Sequence, residues 1–87
     1  MGFGLPAAIG ASFAKSGKTV FALEGDGSLM MSAAELATIA EYDLNIKIIL
    51  FNNNALGMIR EYQKNNFNAR YSEVFPKNPD FITLAKA

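Results

Sequence analysis

Eighty-seven residues, 51% of them hydrophobic, suit one small folded domain and exclude a disordered chain; at this length about 60–65% of the unfolded surface can be buried. Eight Lys and Arg balance eight Asp and Glu, so no general attraction to nucleic acid or to a membrane surface is expected. Cysteine and histidine are absent, which excludes disulfides and thiolate or imidazole metal ligands, leaves oxygen as the donor to any metal, and fits a cytoplasmic location.

The opening Met1-Gly2-Phe3-Gly4 lacks the basic and apolar regions of a signal peptide, and no apolar run approaches the roughly 20 residues of a transmembrane helix. Pro6 to Ser16 is expected to be helical, with Pro6 in the first turn, an Ala-rich interior and Gly17 at the end. Thr19 to Leu23 reads as a buried strand. Ser32 and Glu35 have the spacing of a capping box, Met31 can staple onto Leu36, and Ala33, Leu36, Ala37 and Ala40 would form the buried face of a helix ending near Tyr42-Asp43. Lys47 to Phe51 is apolar enough for a strand covered on both faces. Gly57 to Asn66 is expected to be an amphipathic helix with Met58, Ile59 and Tyr62 on its apolar side, residues 67–79 a loop, and Asp80 to Ala87 the start of another helix.

Strand, helix and strand in succession predict a βαβ unit with parallel strands. Parallel strands end on the same edge of the sheet, where open α/β folds bind ligands. The first strand runs into Gly25-Asp26-Gly27 and the second into Asn52-Asn53-Asn54. One carboxylate and one amide oxygen make a sparse, hard donor set, suited to Mg²⁺ completed by water and phosphate rather than to a Ca²⁺ cage. Gly25 and Gly27 are expected to let the backbone turn sharply and approach a ligand, and the following helix start favours an anion.

Taken alone, each half of this pattern is an ordinary turn signal; their pairing across one βαβ unit is what gives it meaning. Glu35 reads as a capping partner, Met58, Ile59 and Tyr62 as core, and Arg60, Glu61, Lys64 and Arg70 as a solvated face. Gly2-Phe3-Gly4-Leu5-Pro6-Ala7, with Glu24 further on, imitates a dinucleotide fingerprint. No strand precedes the first glycine, however, as that fingerprint requires.

The stretch "EGDGSLMM" followed by "FNN" resembles the thiamine-diphosphate-binding motif, which opens with GDG and closes with NN. The flanks "MGFGLPAAIGA", "SAAELATIAEYDLNIKIILFNNNALGMIREYQ", "RYS" and "NPDFITLA" are similar to the C-terminal cofactor domain of acetolactate synthase large subunits. The resemblance implies an α/β fold, a parallel-sheet fragment comprising a βαβ core flanked by helices, with residues 1–87 as one partial cofactor-binding domain. It implies thiamine diphosphate and Mg²⁺ as cofactors, with Asp26, Asn53 and the carbonyl of Ala55 on the metal. Gly25, Gly27 and Ser28 would lie along the diphosphate, Met1 would support the bent cofactor, and Gly57 and Met58 would line the cofactor and substrate pocket.

The implied reaction is decarboxylation of pyruvate and condensation with a second 2-oxo acid, in branched-chain amino acid biosynthesis. Implied partners are a second copy of the enzyme, with the active site between subunits, and a regulatory small subunit; neither nucleic acid nor a membrane is among them. No catalytic side chain is assigned here, because the family's activating glutamate belongs to another domain; FAD, where the intact enzyme uses it, binds outside this segment. Two departures stand out: Tyr62 replaces a common Trp and Asn45 a common Pro. Other thiamine-diphosphate-dependent decarboxylases or carboligases, such as glyoxylate carboligase and indolepyruvate decarboxylase, share the cofactor core. A non-catalytic α/β module holding Mg²⁺ is the reading from a different class.

Overall fold

A computed structural model describes all residues, 1–87. The chain forms two compact units, Met1–Asn52 and Asn53–Ala87. In the first, α1 (Gly4–Ala14) leads to β1 (Val20–Gly25), then α2 (Asp26–Met31), a 3₁₀ turn over Ala33–Glu35, α3 (Leu36–Glu41) and β2 (Ile46–Phe51). The second unit contains α4 (Gly57–Asn66) and α5 (Phe81–Lys86). No helix is long and apolar enough to cross a membrane.

The two strands pair in parallel, from Val20 opposite Ile46 to Gly25 opposite Phe51, as the βαβ reading requires. The ladder is closed below its first pair: the Val20 N–H donates to the Asn45 carbonyl at 3.0 Å, and the Asn45 side-chain amide donates to Thr19 Oγ1 at 2.8 Å. Asn45 therefore ties the strand starts together. Helix α1 buries Leu5, Ala8, Ile9 and Ser12, the i, i+3, i+4, i+7 stripe of one helix face, and lies chiefly against β1. A fully buried Leu such as Leu5 contributes roughly 2 kcal/mol.

Several expectations need correction. The first strand continues through Glu24 and Gly25, so Asp26 follows it directly. The next helix begins at Asp26, not Ser32. Ser32, at φ −128° and ψ 19°, is a break between helices, with no side-chain cap bond. No capping box forms: the Thr38 hydroxyl donates to Glu35 Oε2 at 3.0 Å. Ala37 and Ala40 are exposed, while Leu36 and Ile39 are half-buried. Only one sheet face is covered: Ala22 and Glu24 are buried, whereas Phe21, Leu23, Ile49 and Phe51 are exposed on the other. An all-apolar strand reads as doubly covered, but in this chain α1 and α2 shield just one face.

In the second unit α4 has the expected bounds, yet Met58 and Tyr62 are exposed rather than core. The core here is small, with Val74 and Ala55 buried and the Leu56 N–H donating to the Val74 carbonyl at 2.8 Å. Gln63 holds the long loop from both sides: its amide donates to the Ser72 carbonyl at 3.1 Å and accepts the Ser72 N–H at 3.0 Å.

Asp80 caps α5, accepting from the N–H groups of Ile82 and Thr83 and from the Thr83 hydroxyl at 3.0 Å. The Thr83 N–H, then its hydroxyl, then the Ile82 N–H hold the Asp80 carboxyl below its ordinary 3.8. A depressed value means that the cap stabilises α5 fully above 3.8 and is lost as pH falls through the lower folded value. Backbone ¹³C shifts of residues 81–86 should therefore lose helical character on acidification, and Asp80→Ala should show that loss at neutral pH. Helical shifts that persist unchanged in both cases would refute the cap's role.

Candidate metal centre

Because Gly25 is paired with Phe51 at the last rung of the ladder, the chain leaves both strands at one edge, through Asp26 and through Asn52. Asp26 is only 1% exposed. It is the first residue of α2, with Gly25 as the N-cap. Burial of a carboxylate is stable only where hydrogen bonds or a cation compensate it, and a divalent ion is the strongest compensation available. Nowhere do three Asp or Glu side chains gather, so no all-carboxylate cage forms, and a sparse oxygen set such as Asp26 with neutral oxygens is the donor chemistry that suits Mg²⁺ with waters and phosphate.

The glycines behave differently from expectation. Gly25 is extended, at φ −81° and ψ 155°, a conformation open to any L-residue, and Gly27 sits inside α2. Neither makes the turn by a left-handed backbone. What Gly25 does provide is room, since nothing lies within 4 Å of where its Cβ would be. Ser28, in the first turn of α2, accepts the Gly2 N–H on its Oγ at 3.0 Å. Met1 is 75% exposed.

In the second unit, Asn53 Oδ1 accepts the Ala55 N–H at 3.1 Å, a local turn that fixes which way the amide oxygen faces. An amide oxygen has two lone pairs, so this bond leaves one for a cation. Ala55 is buried. Asn54 takes φ 52°, and its Oδ1 accepts from Asn78 at 3.1 Å. A Cβ on Gly57 would stand 3.5 Å from Asn53 Nδ2, ordinary contact. Met58, at 88% exposure, is fully available to a ligand. The Arg60–Glu61 pair at 3.7 Å lies at the surface and adds little.

Sequence reasoning met Glu24 only as part of the imitated dinucleotide fingerprint and gave it no place in the interior, yet it is 3% exposed with no hydrogen-bond partner for Oε1. The signal was present: Glu24 shares the inward parity of Val20 and Ala22 on β1 and is the one charged residue in that set.

Comparison with known proteins gives the family of the chain. Residues 1–87 match the model of the thiamine pyrophosphate enzyme C-terminal TPP binding domain. The chain is similar to acetolactate synthase isozyme 2 large subunit of Escherichia coli, 50% identical over 100% of this chain and 16% of that protein. The mitochondrial acetolactate synthase of Schizosaccharomyces pombe is 46% identical over 100% and 13%. A probable acetolactate synthase large subunit of Methanocaldococcus jannaschii is 47% identical over 100% and 15%. Among solved structures, Rhodococcus jostii thiamine diphosphate-dependent 4-hydroxybenzoylformate decarboxylase superposes with a TM-score of 0.88 at 35% identity, covering 99% of this chain and 16% of that one. The chain thus spans about one sixth or less of the relatives it matches, and over its whole length it belongs to the C-terminal TPP binding domain family of thiamine pyrophosphate enzymes.

Proposed function

We propose that this chain is the cofactor-holding part of an acetolactate synthase that uses thiamine diphosphate and Mg²⁺. Asp26, Asn53 and the Ala55 carbonyl are the proposed protein ligands to the ion. Gly25, Gly27 and Ser28 are proposed along the diphosphate, and Met1, Gly57 and Met58 around the organic part of the cofactor. The observation that carries the reading is the parallel register ending at Gly25 and Phe51. It sets a buried carboxylate and the start of an asparagine run on one edge of a sheet, in a chain whose family binds this cofactor.

Thiamine diphosphate, when bound, supplies the carbon nucleophile for cleavage next to a 2-oxo acid's carboxylate. What these residues do is narrower. Asp26 and Asn53 hold the cation that neutralises the diphosphate, Gly25 leaves space for its approach, and exposed Met1 and Met58 offer apolar surface. The family's activating carboxylate, FAD where it is used, and a second copy of the enzyme are proposed to come from outside these residues, as is any regulatory subunit. A cytoplasmic location fits the cysteine-free composition.

The test is calorimetry on the intact protein with thiamine diphosphate, with and without Mg²⁺, followed by product analysis from pyruvate. Binding heat only with Mg²⁺, and acetolactate as product, are expected. Equal heat in excess chelator would refute the metal role. The likeness to a 4-hydroxybenzoylformate decarboxylase favours a second reading, simple 2-oxo acid decarboxylation, for which aldehyde without acetolactate would be the result.

A further inference from the structure

Residues Gly2 to Gly4 lie against the end of β1 and against α2, through one hydrogen bond and two close backbone approaches. The Gly2 N–H donates to Ser28 Oγ, 26 positions away, at 3.0 Å. Gly2 has φ +69°, and a Cβ on it would stand 3.0 Å from Met31 Cβ. A Cβ on Gly4 would overlap Glu24 Oε1. Glycine at position 2 thus supplies both the left-handed backbone and the close approach. Of the three contacts, only the bond to Ser28 is directional.

A serine hydroxyl accepts with two lone pairs and donates once, so Ser28 can hold Gly2 and still offer its proton elsewhere. Met1, joined to Gly2, is an apolar side chain 75% exposed. Fixing the Gly2 amide fixes the backbone from which the Met1 side chain reaches. We infer that Ser28 is a positioning residue: through Gly2 it holds Met1 at the rim of the site, so that the Met1 side chain bears on the organic part of a diphosphate cofactor. This rests on the cofactor reading above and adds to it, because a mere diphosphate contact would not involve Met1.

Two probes separate the roles, thiamine diphosphate and inorganic pyrophosphate, each titrated with Mg²⁺ into the intact protein. Ser28→Ala should weaken both probes, because its hydroxyl also lies along the diphosphate, but thiamine diphosphate about tenfold more than pyrophosphate. Ser28→Thr, which keeps the hydroxyl, should restore both. Adding Met1→Ala to Ser28→Ala should then cost little more, since the two share one effect. Equal losses for both probes in Ser28→Ala, or no loss for either, would overturn the inference and leave the cofactor reading standing. Failure of the unaltered protein to bind either probe would overturn the cofactor reading itself, and the inference with it.

Discussion

Asp26→Asn is expected to weaken Mg²⁺-dependent binding of thiamine diphosphate severely while leaving the fold in place. The substitution keeps the volume of a side chain that is 1% exposed and exchanges a charged oxygen ligand for a neutral one. In a site with one carboxylate, that exchange should weaken the metal-linked complex on the order of a hundredfold, about 3 kcal/mol. A ligand that binds the native state raises thermal stability by mass action. The rise in melting temperature that Mg²⁺ and cofactor together give the unaltered protein should therefore shrink sharply in the variant. The melting temperature of the variant without ligands is the control that separates lost binding from a disturbed fold. A ligand-induced rise equal to that of the unaltered protein would contradict the assignment.

Gly4→Ala should destabilise the fold, and buried Glu24 is the reason. In an exposed helix interior Ala is better than Gly by about 1 kcal/mol. Here the added Cβ would overlap Glu24 Oε1 and lie 2.7 Å from its Cδ, and Glu24 is 3% exposed with little space to retreat. The expected loss is about 2–3 kcal/mol, the scale of overpacking in a tight core. In a Glu24→Ala background the colliding atoms are gone, so the same change should be neutral or mildly stabilising. Denaturation of the four proteins in this cycle measures the coupling, expected near 2–3 kcal/mol. Additive losses would show that the crowding is not between these two residues.

Much of the fold was legible because its cues were local or strictly periodic. Gly57 to Asn66 emerged with its bounds unchanged, and the helix expected from Asp80 runs over Phe81–Lys86 with Asp80 as its cap. The parallel pair followed from strand, helix and strand in order. The motif itself was harder. "GDG" reads as a turn, and Gly27 is a poor helix former, yet α2 starts at Asp26 because the packing of Asp26 and Leu29 outweighs propensity. Ser32 and Glu35 had the right spacing for a cap, but a helix already ends at Ser32. The exposed face of Phe21, Leu23 and Phe51 was illegible for another reason: hydrophobicity shows that a strand prefers cover, not what covers it. Asp26 and the asparagines were proposed from chemistry and spacing, and the end of the parallel ladder sets Asp26 directly after β1 and Asn52 directly after β2. The role of Gly2 depended on a contact across 26 positions that no local pattern encodes.

The most direct test of the central claim is diffraction from the intact protein crystallised with thiamine diphosphate and Mn²⁺ in place of Mg²⁺, using the anomalous signal to locate the ion. One Mn²⁺ is expected about 2.2 Å from both the Asp26 carboxylate and Asn53 Oδ1, with the diphosphate completing its shell. An ion bound to the cofactor with Asp26 outside its coordination sphere would contradict it.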